Sequence, residues 1–110
     1  MTLRVKVADT PERQAAGFRC ATPRDIQRHL ILFDFGEEIW TQFHMRNVPA
    51  ALDIAFAKAE GDIFAVLRME PHPTRLYGPP ATFRYALEAR AGFFADAGLT
   101  RAPVRLCVPR

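Results

Sequence analysis

The sequence predicts an α+β fold that is mainly β: a curved, mostly antiparallel sheet or a small β-barrel with two or three short helices. Apolar and polar residues alternate with period two along most of the chain, as in half-buried strands. Two Thr-Pro pairs and a late glycine supply the start and stop signals of short helices. The predicted strands are residues 2–8, 30–35, 39–47, 51–59, 62–70, 82–90 and 103–108, and the predicted helices are residues 11–18 and 91–97.

Length and composition predict one domain over residues 1–110. Hydrophobic residues make up 49% of the chain and nine residues are phenylalanine, enough for one core in a chain too short for two. The first residues lack the order of a signal peptide, and no apolar run approaches the roughly 20 residues that cross a bilayer. We therefore expect a soluble, cytoplasmic protein that does not bind membranes.

The N-terminal residues predict a strand followed by a helix. Leu3, Val5 and Val7 share one side of the strand, and the other side is expected to be exposed to solvent. Thr10 is suited to cap a helix, since its hydroxyl accepts a backbone N–H bond, and Pro11 fits the first helical position.

A second helix start and a buried strand follow. Thr22-Pro23 repeats the start signal, and Ile26 with Leu30 at i and i+4 predicts a short helical turn. Residues 30–35 are apolar on both sides, which is typical of a strand buried on both faces. The Gly-Glu-Glu of residues 36–38 predicts a turn at its end.

The centre of the chain predicts a β-hairpin. Apolar residues alternate along 51–59 and again along 62–70, on either side of Glu60-Gly61. If the loop consists of those two residues, Asp53 lies directly opposite Arg68. A bulge at Gly61 would change this register.

The last third of the chain predicts a long loop and three short elements. Residues 70–81 contain five prolines or glycines and form the longest predicted irregular segment. Residues 82–90 alternate as a strand, residues 91–97 have helical spacing before Gly98, and residues 103–108 form a last strand.

The alternation also selects a core, because one side of each strand faces inward. Trp40 is expected as a core or rim aromatic. The residues expected to be largely buried are Leu3, Val5, Phe18, Leu32, Phe33, Phe43, Met45, Leu52, Ile54, Phe56, Leu67, Tyr85, Leu87 and Phe94.

Missing residues and spacings exclude several kinds of chemistry. The chain contains no serine, so a Ser-His-Asp triad is impossible, and its six glycines form no phosphate-binding loop. Cys20 and Cys107 lie outside any metal, disulfide or nucleophile motif, so we expect free thiols. The histidines, cysteines and acidic residues show no ligand spacing. We expect no metal and no cofactor.

The charge pattern disfavours nucleic-acid binding. The chain has 15 Lys and Arg residues against 12 acidic ones, and arginines spread along its length make up most of the cations. Nucleic-acid binders usually concentrate positive charge in one patch. The scattered arginines therefore indicate a solvated surface.

Four segments together resemble the domain-of-unknown-function family 192 (DUF192). The resemblance covers nearly the whole chain and implies a compact, mainly β domain with two or three short helices and no established enzymatic activity. Family members often carry an N-terminal secretion signal. The segments are VADTPERQAAGF; LILFDF, similar to the family's G-M-L-F-x-F; FHMRN and LDIAF, similar to F-W-M-K-N and L-D-I-x-F; and YALEARAGFF with AGL, similar to Y-V-L-E-x-x-A-G-x-x with H-G-I.

The chain departs from the family pattern near its centre. His44 stands where the family commonly has Trp, and Val48 stands where it has Thr. The proline that the family places just before Leu52 comes earlier, at Pro49. If the Trp and Thr line a ligand surface in relatives, that surface is altered here.

A candidate ligand site is predicted where the Asn47 connection approaches the loop at residues 70–81. Asn47 is the chain's only asparagine. The alternative is that Asn47 only bonds within its own turn, and that Asp53 and Arg68 form only a cross-strand pair. The candidate ligand-binding residues are His44, Arg46, Asn47, Asp53, Arg68, Glu70, His72 and Tyr77.

We predict a non-catalytic binding or interaction domain that recognises a small polar ligand or a protein partner through this region. No catalytic residue is assigned. The alternative is a small hydrolase or lyase that uses His44 or His72 with Glu70 or Asp53 as acid and base. Nucleic-acid binding through the scattered arginines is a third, weaker hypothesis.

Overall fold

The computed structural model describes residues 2–100 and 103–109. No helix in this part of the chain has the length and apolar character needed to cross a membrane. The elements are the strands β1 (Lys6–Ala8), β2 (Ile31–Ile39), β3 (Phe43–His44), β4 (Leu52–Ala57), β5 (Ile63–Met69), β6 (Leu76–Tyr77) and β7 (Phe83–Arg90), and the helices α1 (Pro11–Ala16), α2 (Pro23–Arg28) and α3 (Phe93–Asp96).

Five strands form one open sheet in the order β1-β2-β7-β4-β5, and β3 pairs with β6 in a separate two-stranded ribbon. The β1–β2 pair is parallel and the other pairs are antiparallel. The predicted fold class, mainly β with short helices, is confirmed in its open-sheet form. Because β7 is the middle strand, it has a neighbour on each side and cannot be an edge.

Apolar residues cover both faces of the sheet. The front face carries Ile54 and Phe56, and Phe18 and Ile26 pack on it from the α1–α2 region. The back face carries Leu87, and Phe94 of α3 packs on it. The sheet is therefore the middle layer of the molecule, and few of its central side chains can reach water.

The predicted core is confirmed for ten of its fourteen members. These ten are buried, and Leu52, Ile54 and Phe56 of β4 have no exposed surface. The other four are partly buried and pack against the two core clusters: Leu3, Val5, Phe43 and Leu67.

The hairpin has the predicted register but a different turn. Asp53 lies opposite Arg68, as predicted. Gly61 N donates to Lys58 O and Lys58 N donates to Asp62 O, so the loop has three residues and not two. The longer loop shifts the pairing by one residue, and a bulge at Phe64 shifts it back. Beyond the bulge the register is therefore the predicted one.

Two boundaries in the middle of the chain differ from the prediction. The chain does not turn at residues 36–38. Instead β2 continues to Ile39, and an irregularity between Asp34 and Ile39 absorbs the bend. The predicted strand 39–47 is reduced to Phe43–His44, which pairs with a short strand inside the predicted loop.

The two ends of the chain form less strand than predicted. The first strand is limited to Lys6–Ala8. Residues 103–108 make only an isolated bridge, between Asp62 and Arg105. The segment nevertheless lies against the hairpin turn, since Leu106 N donates to Gly61 O at 2.8 Å. A Cβ at position 61 would lie 2.0 Å from Leu106 O, so this contact requires glycine.

The helices begin where the sequence predicts and are short. Thr10 Oγ1 accepts from Arg13 N at 3.2 Å. Thr22 and Asp25 form a reciprocal capping box at the start of α2. Helix α1 ends at Ala16, two residues before the predicted end, and α3 covers only residues 93–96 of the predicted 91–97.

Candidate functional site

An acidic side chain is buried in the middle of the sheet. Glu88 lies on β7, and its neighbours across the sheet are Ile31 on β2 and Ile54 on β4. Alternation along β7 places its side chain on the front face with Ala86. Glu88 is 5% exposed, although glutamate is almost never buried so deeply without a partner.

The carboxyl of Glu88 has no such partner among the described residues. Within residues 2–100 and 103–109, no cation pairs with it and no group of the protein forms a hydrogen bond with it. Burial raises the pKa of Glu88 to about 8, because the charged form would lose its water. At neutral pH the group is therefore mostly protonated.

Glu88 lines a cavity of about 340 Å³, which we call the Glu88 cavity. The cavity lies on the front face of the sheet, beneath α1 and the segment that follows it, and beside β3. Its volume is within the range of small-molecule sites, about 300–1,000 Å³. Exposed residues such as Ala15 and Gln42 mark its mouth, and Glu88 marks its inner end.

Three phenylalanine rings form much of the apolar wall. The rings of Phe33 and Phe43 meet edge to face, with centroids 5.2 Å apart and planes at 81°. Phe35 and Phe43 are also nearly perpendicular, with centroids 6.3 Å apart. A small molecule inside would therefore meet aromatic surfaces in more than one orientation.

The C-terminal end of α1 forms one side of the Glu88 cavity. Gln14 Nε2 donates to Ala8 O and to Asp34 O, which fixes the helix against β1 and β2. The helix stops at Gly17, whose φ of 45° and ψ of −131° suit only glycine. The sequence places a glycine where the chain must bend sharply above the carboxyl.

The titratable groups at the mouth are Arg19 and His44. Burial lowers the pKa of His44, and the nearby Arg46 and Arg19 lower it further. Its Nδ1 accepts from Arg46 N at 3.2 Å, so the neutral ring carries its proton on Nε2. The mouth thus presents a guanidinium and a neutral imidazole that can donate one hydrogen bond.

The predicted approach of the Asn47 connection to the loop at residues 70–81 is present in the structure. Arg46, Asn47 and His72 line a shallow groove on the outside of the molecule. Met45 and Val48 line both this outer groove and the Glu88 cavity. The Asn47 turn is therefore the wall between the two.

Asn47 also has a conformational role. It is the third residue of a turn in which Val48 N donates to Met45 O, and its φ is 59°. Positive φ at this position favours glycine or asparagine. Asn47 O accepts from Cys20 N at 2.8 Å, so the turn also holds the α1–α2 connection.

The predicted site residues that belong to the loop at residues 70–81 stabilise the loop itself. Tyr77 Oη accepts from Glu70 N at 3.0 Å and donates to Glu70 O at 3.1 Å. His72 Nδ1 accepts from Thr74 N and Arg75 N. These contacts fix residues 70–77 beside the groove.

Asp53 and Arg68 lie elsewhere. Both carboxyl oxygens of Asp53 accept from Arg68, and one also accepts from Gly92 N at 2.8 Å. Gly92 precedes α3, which covers the back face. The structure thus separates these two predicted residues from the groove and from the Glu88 cavity.

Glu88 is not among the site residues predicted from the sequence. Alternation along residues 82–90 assigns it to the polar side of a half-buried strand, together with Arg84 and Arg90. That assignment is wrong because β7 is the middle strand and both its faces are covered. The small residues on either side of the Leu-Glu pair, Ala86 and Ala89, are the signal that could have indicated burial.

The described residues contain no cluster of three or more His, Cys, Asp or Glu side chains suited to a metal ion. Cys20 and Cys107 are free and exposed. A ligand of the Glu88 cavity would therefore meet one carboxyl, aromatic rings and the polar mouth.

The fold is a mainly β sheet that buries two acids among the described residues, Asp53 and Glu88, of which Glu88 lines the cavity, and comparison identifies the family of the chain. Residues 1–102 match the family DUF192, described as "Uncharacterized ACR". The chain belongs to this family, as the sequence resemblance implies. No curated protein matches the chain significantly.

Two solved structures have the same fold. One is a "putative transcription regulator" from Sinorhizobium meliloti 1021, 27% identical with a TM-score of 0.79, and the match covers 90% of this chain and 75% of that one. The other is a protein of unknown function from Novosphingobium aromaticivorans DSM 12444, 23% identical with a TM-score of 0.77, covering 91% of this chain and 70% of that one. The second match shows the fold alone.

Proposed function

We propose that this protein is a non-catalytic domain that binds a small molecule in the Glu88 cavity. One observation carries the proposal: a buried carboxyl without a partner lines an apolar cavity of about 340 Å³. No fully buried side-chain oxygen or nitrogen of the described residues lacks a hydrogen-bond partner, so the Glu88 oxygens reach the accessible space of the cavity. A ligand in the cavity can bond with them there, whereas packing alone would be served better by an apolar residue.

The predicted region around Asn47 fits this proposal as supporting structure. The Asn47 turn forms the wall of the cavity, and the loop at residues 70–81 holds the turn from outside through the β3–β6 ribbon. Of the predicted ligand-binding residues, His44 is the one that lines the cavity. The polar ligand of the sequence prediction would enter past His44 and reach Glu88.

The test is binding of a mixed panel of small amines, carboxylic acids, amides and aromatic alcohols, measured by ligand-observed NMR. In the variant Ala15→Trp, an indole at the mouth should block the cavity. Ala95→Trp places the same side chain on α3, over the back face, and serves as the matched control. We expect at least one class to bind the wild type and the control but not the Ala15→Trp variant. If no class binds, or if the blocked variant binds equally well, the proposal is wrong.

A second candidate function is acid–base catalysis in the same cavity. Glu88 has a raised pKa and His44 a lowered one, so at neutral pH both are uncharged and could act as acid and base. His44 is predicted from the sequence for this role, but with Glu70 or Asp53 as its partner, and neither lines the cavity. Compounds that bind should be followed by NMR for conversion. Conversion that is lost in both Glu88→Gln and His44→Gln would favour an enzyme.

Direct nucleic-acid binding remains the weakest hypothesis. The name of the Sinorhizobium protein suggests a regulatory role, and a regulator that contacts nucleic acid usually has a concentrated basic surface. Here several arginines are occupied by acidic partners, as in the Arg84–Asp34 and Arg105–Asp62 pairs. A sensing role through a small ligand fits the cavity better.

A further inference from the structure

We propose that the ligand of the Glu88 cavity is a small organic cation whose ammonium group lies against the Glu88 carboxyl, inside the wall formed by Phe33, Phe35 and Phe43. This inference rests on the proposed function and names the chemical class of its ligand. It follows from the acceptor at the inner end, the aromatic wall and the position of the other charges.

The inner end of the cavity lacks donors. Glu88 has two carboxyl oxygens, and no described residue donates a hydrogen bond to either. Its strand neighbours, Ile31 and Ile54, are apolar, and Leu52 is the next inward residue of β4. A ligand with N–H donors and positive charge would satisfy both oxygens at once, as an ammonium group does with three donors.

The aromatic wall favours the same ligand. The faces of phenylalanine rings carry partial negative charge and attract cations within about 6 Å of the ring centre. Phe33, Phe35 and Phe43 surround the space in two nearly perpendicular orientations. Phenylalanine offers no hydrogen bond to a neutral polar ligand. The aromatic wall therefore favours a ligand that has positive charge and apolar surface.

The remaining charges lie at the mouth. The titratable groups that face the cavity are Arg19 after α1 and His44 on β3, and β2 and β4 contribute none. Arg19 would repel a cation held at the mouth, so the favourable position for positive charge is the inner end. The ligand's other end meets Arg19 and the Nε2–H of His44, which suit a hydrogen-bond acceptor.

Binding of an ammonium ion requires the ionised carboxylate, so it releases a proton. In the empty protein Glu88 holds that proton up to about pH 8. In the complex the proton goes to solvent and the carboxylate pairs with the ammonium ion. The dissociation constant for an amine should then fall about tenfold from pH 6 to pH 7 and about fivefold from pH 7 to pH 8, where the carboxyl is already half ionised. A neutral acceptor or a carboxylate ligand would need protonated Glu88, and its affinity would fall with rising pH.

The experiment is isothermal titration calorimetry of the full chain with butylammonium, butyramide and butyrate at pH 6, 7 and 8. We expect butylammonium to bind best, with about one proton released per ligand at pH 7. A free amine and a lysine side chain present the same group, so a short peptide with one lysine is titrated in parallel. Tighter binding of the peptide would identify a protein as the source of the ammonium group, and tighter binding of butylammonium would identify a free amine.

The matched variants are Glu88→Gln and Glu37→Gln. Glutamine resembles the protonated carboxyl in shape, so the first variant should fold, which is checked by its thermal melt. It should lose at least about tenfold in butylammonium affinity and all of the pH dependence. Glu37 is exposed on β2 and its variant should behave as wild type.

Two results would overturn the inference. If butyramide or butyrate binds and is blocked by Ala15→Trp while butylammonium does not bind, the cavity is a ligand site for another class and only this inference fails. If butylammonium binds equally well to the Glu88→Gln variant, its ammonium group does not lie at Glu88. If the mixed panel also shows no binding at all, the proposed function fails as well.

Discussion

Gly17 lies directly above the carboxyl of Glu88: a Cβ at position 17 would be 3.7 Å from Glu88 Oε1 and 3.5 Å from Phe33 Cζ. These are ordinary contact distances. An added methyl group would therefore fit, but it would occupy space at the inner end of the cavity. The backbone at Gly17 and the depth of the cavity are thus linked.

Gly17→Ala should weaken binding of a cavity ligand and lower the free energy of unfolding by about 1–2 kcal/mol, because φ is positive there. Gly36→Ala is the matched control, since Gly36 has a φ of 80° and open space around it. The control should lose stability without losing affinity. Urea unfolding and titration with butylammonium measure the two effects. Equal affinity in the two variants would contradict the proposed position of the ligand.

Stability should fall as pH rises. The folded protein holds a proton on Glu88 up to about pH 8, whereas the unfolded chain releases it at an ordinary glutamate pKa. Between these values the folded state binds more protons, so the free energy of unfolding decreases by about 1.4 kcal/mol per pH unit. The stabilisation is fully present below the unfolded pKa and is lost as pH approaches 8.

Glu88→Gln removes this titration. The difference in unfolding free energy between the variant and the wild type should therefore grow in favour of the variant from pH 5 to pH 8. Urea denaturation at several pH values measures it. A constant difference would show that Glu88 is ionised in the folded protein.

Asn47 should be replaceable by glycine but not by alanine. Its φ of 59° is in the left-handed region, which costs an ordinary residue about 1–2 kcal/mol. Asn47→Ala should lose that amount in a urea melt, and Asn47→Gly should stay close to wild type. If the glycine variant melts normally but loses affinity for a ligand, the Asn47 side chain belongs to the site and not only to the turn.

Phe56→Ala should lower the free energy of unfolding by about 3–5 kcal/mol. The ring has no exposed surface and packs edge to face on Phe83, with centroids 4.8 Å apart. Leu76→Ala removes a side chain that is 53% exposed and should cost far less. A loss below about 1 kcal/mol for Phe56→Ala would contradict the packing of the front face.

The sequence predicts this fold well where alternation alone decides. The apolar residues of β4 face inward as predicted, and so does Leu67 of β5, because the side of a strand is a local property. The bulge at Phe64 instead moves Ile63 to the back face. The approach of Asn47 to the loop at residues 70–81 is also predicted, and in the structure β3 pairs with β6 inside that loop. Local pattern cannot say whether the second side of a strand is covered. Glu88 was assigned to a polar side for that reason.

The rest of the site depends on contacts distant in sequence. Gln14 donates to the backbone of Asp34, and Phe43 on the β3–β6 ribbon contacts Phe33 on β2. Neither contact leaves a periodic signal. The glycine at position 17 is visible in the sequence, but its purpose becomes clear only when the carboxyl beneath it is placed.

The bulge at Phe64 gives β5 one residue more than its partner strand needs. Loss of a single residue from positions 64–66 can be absorbed if the strand straightens, and Leu67 then stays opposite Ile54. An inserted residue at the same place cannot be compensated in this way. It would exchange the inner and outer sides of the rest of β5. Deletion and insertion are therefore unequal events in this hairpin, and changes of chain length compatible with the fold should be mainly losses.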